Sequence, residues 1–156
     1  MAAVNLIVVA GGGWNSVGAF PANQNDGDGG TYQWFPGNAG GSNDNQYDAP
    51  SIPDGADISG VVVSGLWGAG SAPATTAVSA VLGVSSVALG VIGDVSSYAF
   101  AVPRPGGGQW TKTDIAALAI RFSSLATGNG NAMRLKSSVL AVTYVLGGTM
   151  FIALIH

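Results

Sequence analysis

The amino-acid sequence predicts an all-β protein, an antiparallel β-sandwich of jelly-roll type with roughly nine to ten strands and little helix. Three observations support this class. Apolar residues alternate with other residues at a period of two in several segments, and Leu118–Phe122 is the clearest of them. Gly, Pro, Asn and Asp separate these segments at short intervals. Gly supplies 25 of the 156 residues and Glu is absent, so the composition favours sheets joined by tight turns over helices.

The first half of the chain contains short predicted strands between turn-rich segments. Val4–Ala10 is the first strand, and it ends at three consecutive glycines. Trp14–Phe20 and Thr31–Phe35 are predicted strands on either side of Asn23–Gly30, a loop whose Asp-Gly steps favour tight reversals. Asn38–Asp57 is rich in Gly, Asn, Asp and Pro, and predicts a twenty-residue loop that lies along a neighbour or over the sandwich surface.

From Ile58 onward the alternation is more regular. In Ile58–Trp67, the odd-numbered positions from Val61 to Trp67 share one face, while Val62 and Leu66 share the other. Apolar residues on both faces predict a strand that is covered on one side by the core and on the other by a partner. The further strands predicted by alternation and turn signals are Thr75–Leu82, Val84–Ile92, Ser97–Val102, Leu118–Phe122 and Met133–Val145.

The segment Trp110–Phe122, WTKTDIAALAIRF, brings a large aromatic residue from a glycine loop onto the edge of the core. Within it, Thr113 and Asp114 offer side-chain oxygens that predict the cap of one short turn. In the next strand, Met133–Val145, the larger apolar residues change parity at Ser137-Ser138. A β-bulge there would keep both sets of residues inside, and the alternative is a strand buried on both faces near its end.

The C-terminal run Val139–Ile155 is uncharged over seventeen residues, which is near the lower limit for a membrane-spanning helix. Gly147-Gly148 and the β-branched residues before them favour two strands joined at these glycines, with a membrane helix as the alternative. We treat residues 1–156 as one domain. It comprises N-terminal strands and loops over 1–45, a jelly-roll core over 46–145 and an apolar C-terminal strand over 146–156.

The charge content limits the partners that the sequence predicts. Only 13 residues are charged, or 8%, where an ordinary soluble domain has roughly 25%. The net charge is −3 and the five basic residues form no run, so nucleic acid is not an expected partner. So few charges predict a surface made of small polar residues or covered by neighbouring subunits.

Catalysis and cofactor binding are not predicted. Cys is absent, and the only histidine is the terminal His156, so neither Ser-His-Asp nor Cys-His arrangements can be assembled. Asp26 and Asp28 are the calcium candidates, but an EF-hand needs a distal Glu, and a simple turn is the preferred interpretation. A second set of acids is treated as solvated loop residues, with a shared oxygen site for a metal as the alternative. It consists of Asp44, Asp48, Asp54 and Asp57.

The aromatic residues have two interpretations. Most are expected in the sandwich core, because the strands supply faces to bury them. The alternative is subunit contacts or a platform on which sugar rings stack. The tryptophans and tyrosines in question are Trp14, Trp34, Trp67, Trp110, Tyr32, Tyr47, Tyr98 and Tyr144.

Residues from about Tyr47 to Val145 resemble jelly-roll domains of virion structural proteins in tailed bacteriophages. The resemblance is carried by the strand Ile58–Trp67 after an aspartate-bearing loop, by WTKTDIAALAIRF, and by the strand Met133–Val145. It implies a rigid, non-enzymatic module that binds a virion surface or a host glycan. The chain departs from this pattern in its Gly/Asn-rich start, its apolar end and its low charge.

These departures favour a small capsid decoration (cement) protein that stabilises the shell through inter-subunit β contacts and through its apolar termini. The partners expected are copies of the chain, with a trimer favoured, and the major capsid protein or another virion protein. The expected location is the virion, assembled in the host cytoplasm, with no membrane partner. The alternative function is a carbohydrate-binding jelly-roll module of a phage tail or receptor-binding apparatus.

Overall fold

The computed structural model describes residues 1–10, 15–17, 32–36, 41–69, 75–93, 95–124 and 132–147. Within these ranges the chain forms eleven strands and one six-residue helix, and every strand pairing is antiparallel. The all-β prediction is therefore confirmed. The elements are β1 Ala2–Ala10, β2 Asn15–Val17, β3 Tyr32–Pro36, β4 Gly41–Tyr47, β5 Ala56–Ala69, β6 Thr76–Leu82, β7 Ser85–Ile92, β8 Val95–Ala101, α1 Lys112–Ala117, β9 Ala119–Ser124, β10 Ala132–Leu135 and β11 Val139–Leu146.

Eight of the strands form two rows of four. The first row has the order β1-β11-β5-β8, and the second has the order β4-β9-β6-β7. Strand β1 joins the rows, because its first part pairs with β11 and its last residues pair with β4. At the far end of β5, β10 pairs with β5 and leads on to β3 and β2. Strand β1 thus lies in the middle of the sheet.

The core lies between the two rows. From the first row, Leu6, Leu140 and Val63 are neighbours across three strands and are at most 1% exposed. From the second row, Ile120 and Phe122 are completely buried. Alternation at a period of two places these side chains on inner faces, and burying each contributes roughly 1.5–3 kcal/mol to stability.

Aromatic contacts connect the rows directly. The ring of Trp67 on β5 stacks on that of Phe122 on β9, with centroids 6.5 Å apart. Tyr98 on β8 meets Phe122 edge to face, with centroids 5.9 Å apart. Phe100 lies against Gly90 of β7, where a Cβ atom would come within 2.5 Å of the ring. The two end strands, β7 and β8, therefore approach each other across the core.

The predicted loop Asn38–Asp57 is wrong in its first part, because Gly41–Tyr47 forms the internal strand β4 between β1 and β9. Its inward positions include Asn43 and Asn45, which are 1% and 0% exposed, and the Asn43 amide donates a hydrogen bond to the Asn45 side chain. The strand was missed because polar residues occupy its buried positions, so hydrophobic periodicity gives no signal. The 48–55 connection carries no strand.

The predicted strand Met133–Val145 is divided into β10 and β11, and the extra residue predicted near Ser137-Ser138 is present. Leu135 opposes Trp67 and Val139 opposes Ser64, so four residue steps on one side match three on the other. The N–H groups of Lys136 and Ser137 both donate to the carbonyl of Leu66, at 3.0 and 3.2 Å. Two residues opposite one is the arrangement of a β-bulge, and it leaves Leu135 and Leu140 both buried.

The turn before β9 is the helix α1, and Asp114 takes part in its cap as predicted, whereas the N-cap is Thr111 and not Thr113. Thr111 is the N-cap: its hydroxyl accepts a hydrogen bond from the N–H of Asp114, and the Asp114 carboxylate accepts one from the N–H of Thr111. This reciprocal pair is a capping box. Asp114 therefore belongs to the first turn, and the Thr113 side chain is not the cap.

The C-terminal run begins as a strand, since Val139–Leu146 forms β11. A membrane helix over Val139–Ile155 is therefore wrong for its first half, and residues 148–156 lie outside the described ranges. In the part of the chain that is described, no helix is long and apolar enough to cross a membrane.

Candidate interaction surface

The outer surface of the first row is built from the residues that alternate with its core. One set of cross-strand neighbours comprises Ile7, Val139, Ser64 and Ala99. The next set along the strands comprises Asn5, Ala141, Val62 and Ala101. We define the uncharged face as ten outward residues of β1, β11, β5 and β8, and these are Asn5, Ile7, Val62, Ser64, Leu66, Ala99, Ala101, Val139, Ala141 and Thr143.

None of these residues is ionisable, and several expose apolar side chains. Ile7 is 44% exposed, Val62 38% and Leu66 39%. The nearest charged residues lie at the borders of the face: Asp57 at the start of β5, Lys136 beside Gly68, and Asp48, whose carboxylate accepts the N–H of Ile7. A contiguous apolar patch bounded by polar residues is typical of a surface that binds another protein.

The outer surface of the second row has a different chemistry. Arg121 on β9 makes a bidentate ion pair with Asp44 on β4, and both nitrogen–oxygen distances are 2.7 Å. The hydrogen bond from Arg121 is the main cause that lowers the pKa of the Asp44 carboxyl below its usual value. Val91 on β7 is 62% exposed on this row, and its neighbours across the next three strands are Ala77, Ser123 and Ser42. The two outer surfaces are therefore chemically distinct.

A buried polar cluster lies beneath the uncharged face, at the β-bulge. The hydroxyls of Tyr47 and Ser138 are hydrogen-bonded at 2.6 Å, and Tyr98 donates to the carbonyl of Ser137 at 3.0 Å. The Ser137 hydroxyl accepts from the N–H of Leu66 at 2.8 Å. Burial raises the pKa of both tyrosines well above the usual value, so both hydroxyls stay protonated. These bonds fix β5 and β11 relative to β4 and β8, and so hold the face in one shape.

The predicted acidic residues do not converge on a metal site. Asp44 pairs with Arg121, Asp48 accepts the N–H of Ile7, and Asp54 pairs with Lys112. Across the described ranges, no three acidic or histidine side chains are grouped closely enough to hold a metal ion. The calcium candidates Asp26 and Asp28 lie outside those ranges.

The aromatic residues divide between core and surface. Trp67, Tyr47 and Tyr98 are at most 7% exposed and belong to the core, so they form no sugar platform. Trp110 and Tyr144 are partly exposed and pack against the core from its edge. The side chains of Trp14, Trp34 and Tyr32 are not among those described. Of the two tryptophans whose side-chain burial is described, Trp67 and Trp110, Trp110 is the more accessible.

Trp110 forms one wall of a surface cleft of about 390 Å³. The opposite wall is the connection into β5, to which Trp110 is also tied by a single β-bridge with Ile58. The residues that line the cleft are Pro53, Asp54, Gly55, Ala56, Asp57, Trp110, Thr111, Lys112 and Thr113. Sequence reasoning named Trp110 and the two acids separately but had no signal that would bring them together.

Comparison with known proteins adds no family assignment. No protein-family model matches the chain, and no curated protein matches it. The resemblance to phage virion proteins stays a prediction.

Proposed function

We propose that this chain is a non-enzymatic virion structural protein of a tailed phage, and specifically a capsid decoration (cement) protein that acts as a homo-oligomer. The observation that carries the proposal is the uncharged face. It is a broad, outward sheet surface without a single ionisable residue, in a chain that has only 13 charged residues in total.

A second copy of the same chain is the occupant that this face fits. Self-association of a charged face would bury like charges or require an exact pairing of opposite ones, and both penalties are absent here. Ile7, Val62 and Leu66 each expose about two-fifths of their surface, and removing apolar surface from water contributes roughly 25 cal/mol per Å². A trimer is favoured: around a three-fold axis one half of the face would contact the other half of a neighbour's face, and the closed ring would cover this surface on every subunit.

The strand pairing indicates which parts of the chain are available for contacts between subunits. The N-terminal strand β1 pairs within its own chain, with β11 over Ala2–Ile7 and with β4 at Val8 and Ala10, so it is already held in its own sheet. The contact we propose is therefore between sheet faces rather than exchange of the N-terminal strand. The polar outer surface of the second row remains free for the major capsid protein or another virion protein. No nucleic acid, membrane or cofactor is needed.

The finer architecture that we propose is a jelly roll. Its support is the order of the eight strands, with the two rows β1-β11-β5-β8 and β4-β9-β6-β7 packed through a shared core. Two four-stranded rows with long crossovers between them are the arrangement of that fold. This fold suits the proposed role because the outer surfaces of both rows are then free to contact other subunits, while the shared core keeps the domain rigid.

The alternative, a carbohydrate-binding module, requires an aromatic ring on a polar surface. The core positions of Trp67, Tyr47 and Tyr98 do not favour it. The cleft at Trp110 does, and a glycan site there is compatible with a decorating protein.

The mass of the soluble protein, measured by light scattering across a dilution series, tests the oligomer. We expect a stable trimer, or another closed ring, whose mass does not change on dilution. A monomer at every concentration would remove the basis for assigning the uncharged face to a second copy.

A further inference from the structure

We propose that the cleft between the 53–57 connection and Trp110–Thr113 binds one pyranose ring of a neutral glycan, with Trp110 as the stacking surface. The inference stands on this cleft alone and does not depend on the shell role.

The position of the Trp110 ring is fixed by the fold. Its backbone makes a β-bridge to Ile58, and its side chain packs partly against the core while the rest faces the cleft. The reciprocal cap between Thr111 and Asp114 directly follows and holds the backbone of this segment. A preordered aromatic surface loses little conformational entropy when a ligand binds.

The rim of the cleft provides both hydrogen-bond acceptors and donors around that ring. Asp57 is exposed, and within the described part of the chain its carboxylate takes part in no ion pair or hydrogen bond. Asp54 is 95% exposed and pairs through one oxygen with the Lys112 ammonium at 3.0 Å, so its second oxygen is open. The Lys112 ammonium has further N–H groups, and Thr113 adds an exposed hydroxyl.

These features match a sugar better than the other ligands that aromatic clefts bind. Sugar hydroxyls both donate and accept, as this rim does, and the C–H face of a pyranose is attracted to the negative face of an aromatic ring. A cationic ligand would be attracted by the two carboxylates, but it would leave the Lys112 and Thr113 donors unused, so a cation is the competing ligand. A volume of about 390 Å³ is within the range of small-ligand sites, which is roughly 300–1,000 Å³.

Binding of simple glycosides to the full-length protein tests the inference. The probes are the methyl glycosides of glucose, galactose, mannose and N-acetylglucosamine, and their 1,4-linked disaccharides. The method is saturation-transfer NMR followed by titration calorimetry. We expect at least one probe to bind saturably, with affinity reduced at least tenfold in Trp110→Ala and in Asp57→Asn. Trp110→Phe should retain part of the affinity, because it keeps an aromatic surface.

The matched control is Asp44→Asn, which removes the same charge from the other row and should leave binding unchanged. The Asp57 side chain is exposed and has no ion-pair partner among the described residues, so Asp57→Asn tests the site even if Trp110→Ala unfolds the protein. The inference would be overturned if no probe bound, or if affinity were unchanged in Trp110→Ala and Asp57→Asn. Preferential binding of tetramethylammonium at the cleft, measured in the same way, would also overturn it in favour of a cation site. Each outcome is independent of the oligomeric mass.

Discussion

At the scale of single residues, the closest backbone approach lies where β5 passes the β-bulge. A Cβ atom on Gly65 would overlap the carbonyl group of Ser137 and come within 2.8 Å of the Tyr98 hydroxyl. Only a residue without a side chain fits there, because both neighbours are held by the bulge and by their hydrogen bond.

We therefore expect Gly65→Ala to destabilise the protein by about 2–4 kcal/mol, as overpacking against fixed backbone does. Gly60→Ala is the matched control on the same strand, since the nearest atom to its Cβ is 3.9 Å away. Chemical denaturation of both variants measures the difference. Equal stability of the two variants would contradict the tight approach at Gly65.

The hydrogen bond between Tyr47 and Ser138 permits a double-mutant test. Both residues are buried, and Tyr47→Phe leaves the Ser138 hydroxyl without this partner, which we expect to destabilise the fold by about 1–3 kcal/mol. Adding Ser138→Ala should recover part of that loss, because no buried hydroxyl then lacks a partner. Additive effects in denaturation experiments would mean that the two hydroxyls do not interact.

At the scale of elements, the short helix α1 depends on one carboxylate. Asp114 accepts hydrogen bonds from the Arg104 guanidinium and from Thr111, and these bonds lower the pKa of Asp114 to about 2. In an unfolded chain the pKa of an Asp side chain is about 3.9, so the folded state favours the charged form of Asp114. This contribution to stability is fully present above about pH 4 and is lost as the pH falls through about 2.

Accordingly, Asp114→Asn should lower the free energy of unfolding at pH 7 by about 1 kcal/mol, through loss of the cap and ion pair. Between pH 5 and pH 2, the free energy of unfolding of this variant should also decrease less steeply than that of the unmodified protein. Asp54→Asn is the control: Asp54 is 95% exposed and pairs with Lys112 at the surface, so we expect little change. Thermal unfolding at pH 2, 3, 5 and 7 would refute this role if both variants followed the same pH profile.

Most strands could be predicted from the sequence because their buried positions are apolar. The alternation from Val61 to Trp67, and that from Leu118 to Phe122, correctly gave the inward faces of β5 and β9. The parity change near Ser137 gave the bulge within one residue. Strand β4 could not be predicted, because Asn43 and Asn45 occupy its inward positions and their burial depends on hydrogen bonds made only in the fold.

At the scale of the whole molecule, the charges are unevenly distributed. The uncharged face occupies one outer surface, and the Arg121–Asp44 pair occupies the other. The low total charge and the apolar outer positions of β5 were visible in the sequence and predicted a covered surface. The sequence did not predict which strands lie beside β5 in this surface, because the pairing of β5 with β11 and β8 depends on long-range contacts. The cleft at Trp110 was hidden for the same reason, since its walls are more than fifty residues apart in the chain.

The most direct test of the central claim compares two Val→Lys variants by light scattering across a dilution series. Val62 lies within the uncharged face, and Val91 lies on the opposite outer surface, where it is the more exposed of the two. A buried, unpaired charge strongly destabilises an interface, so Val62→Lys should dissociate the oligomer to monomers that stay folded by circular dichroism. Val91→Lys should keep the mass of the unmodified protein. If Val62→Lys formed the same oligomer as the unmodified protein, the uncharged face would not be the contact between subunits.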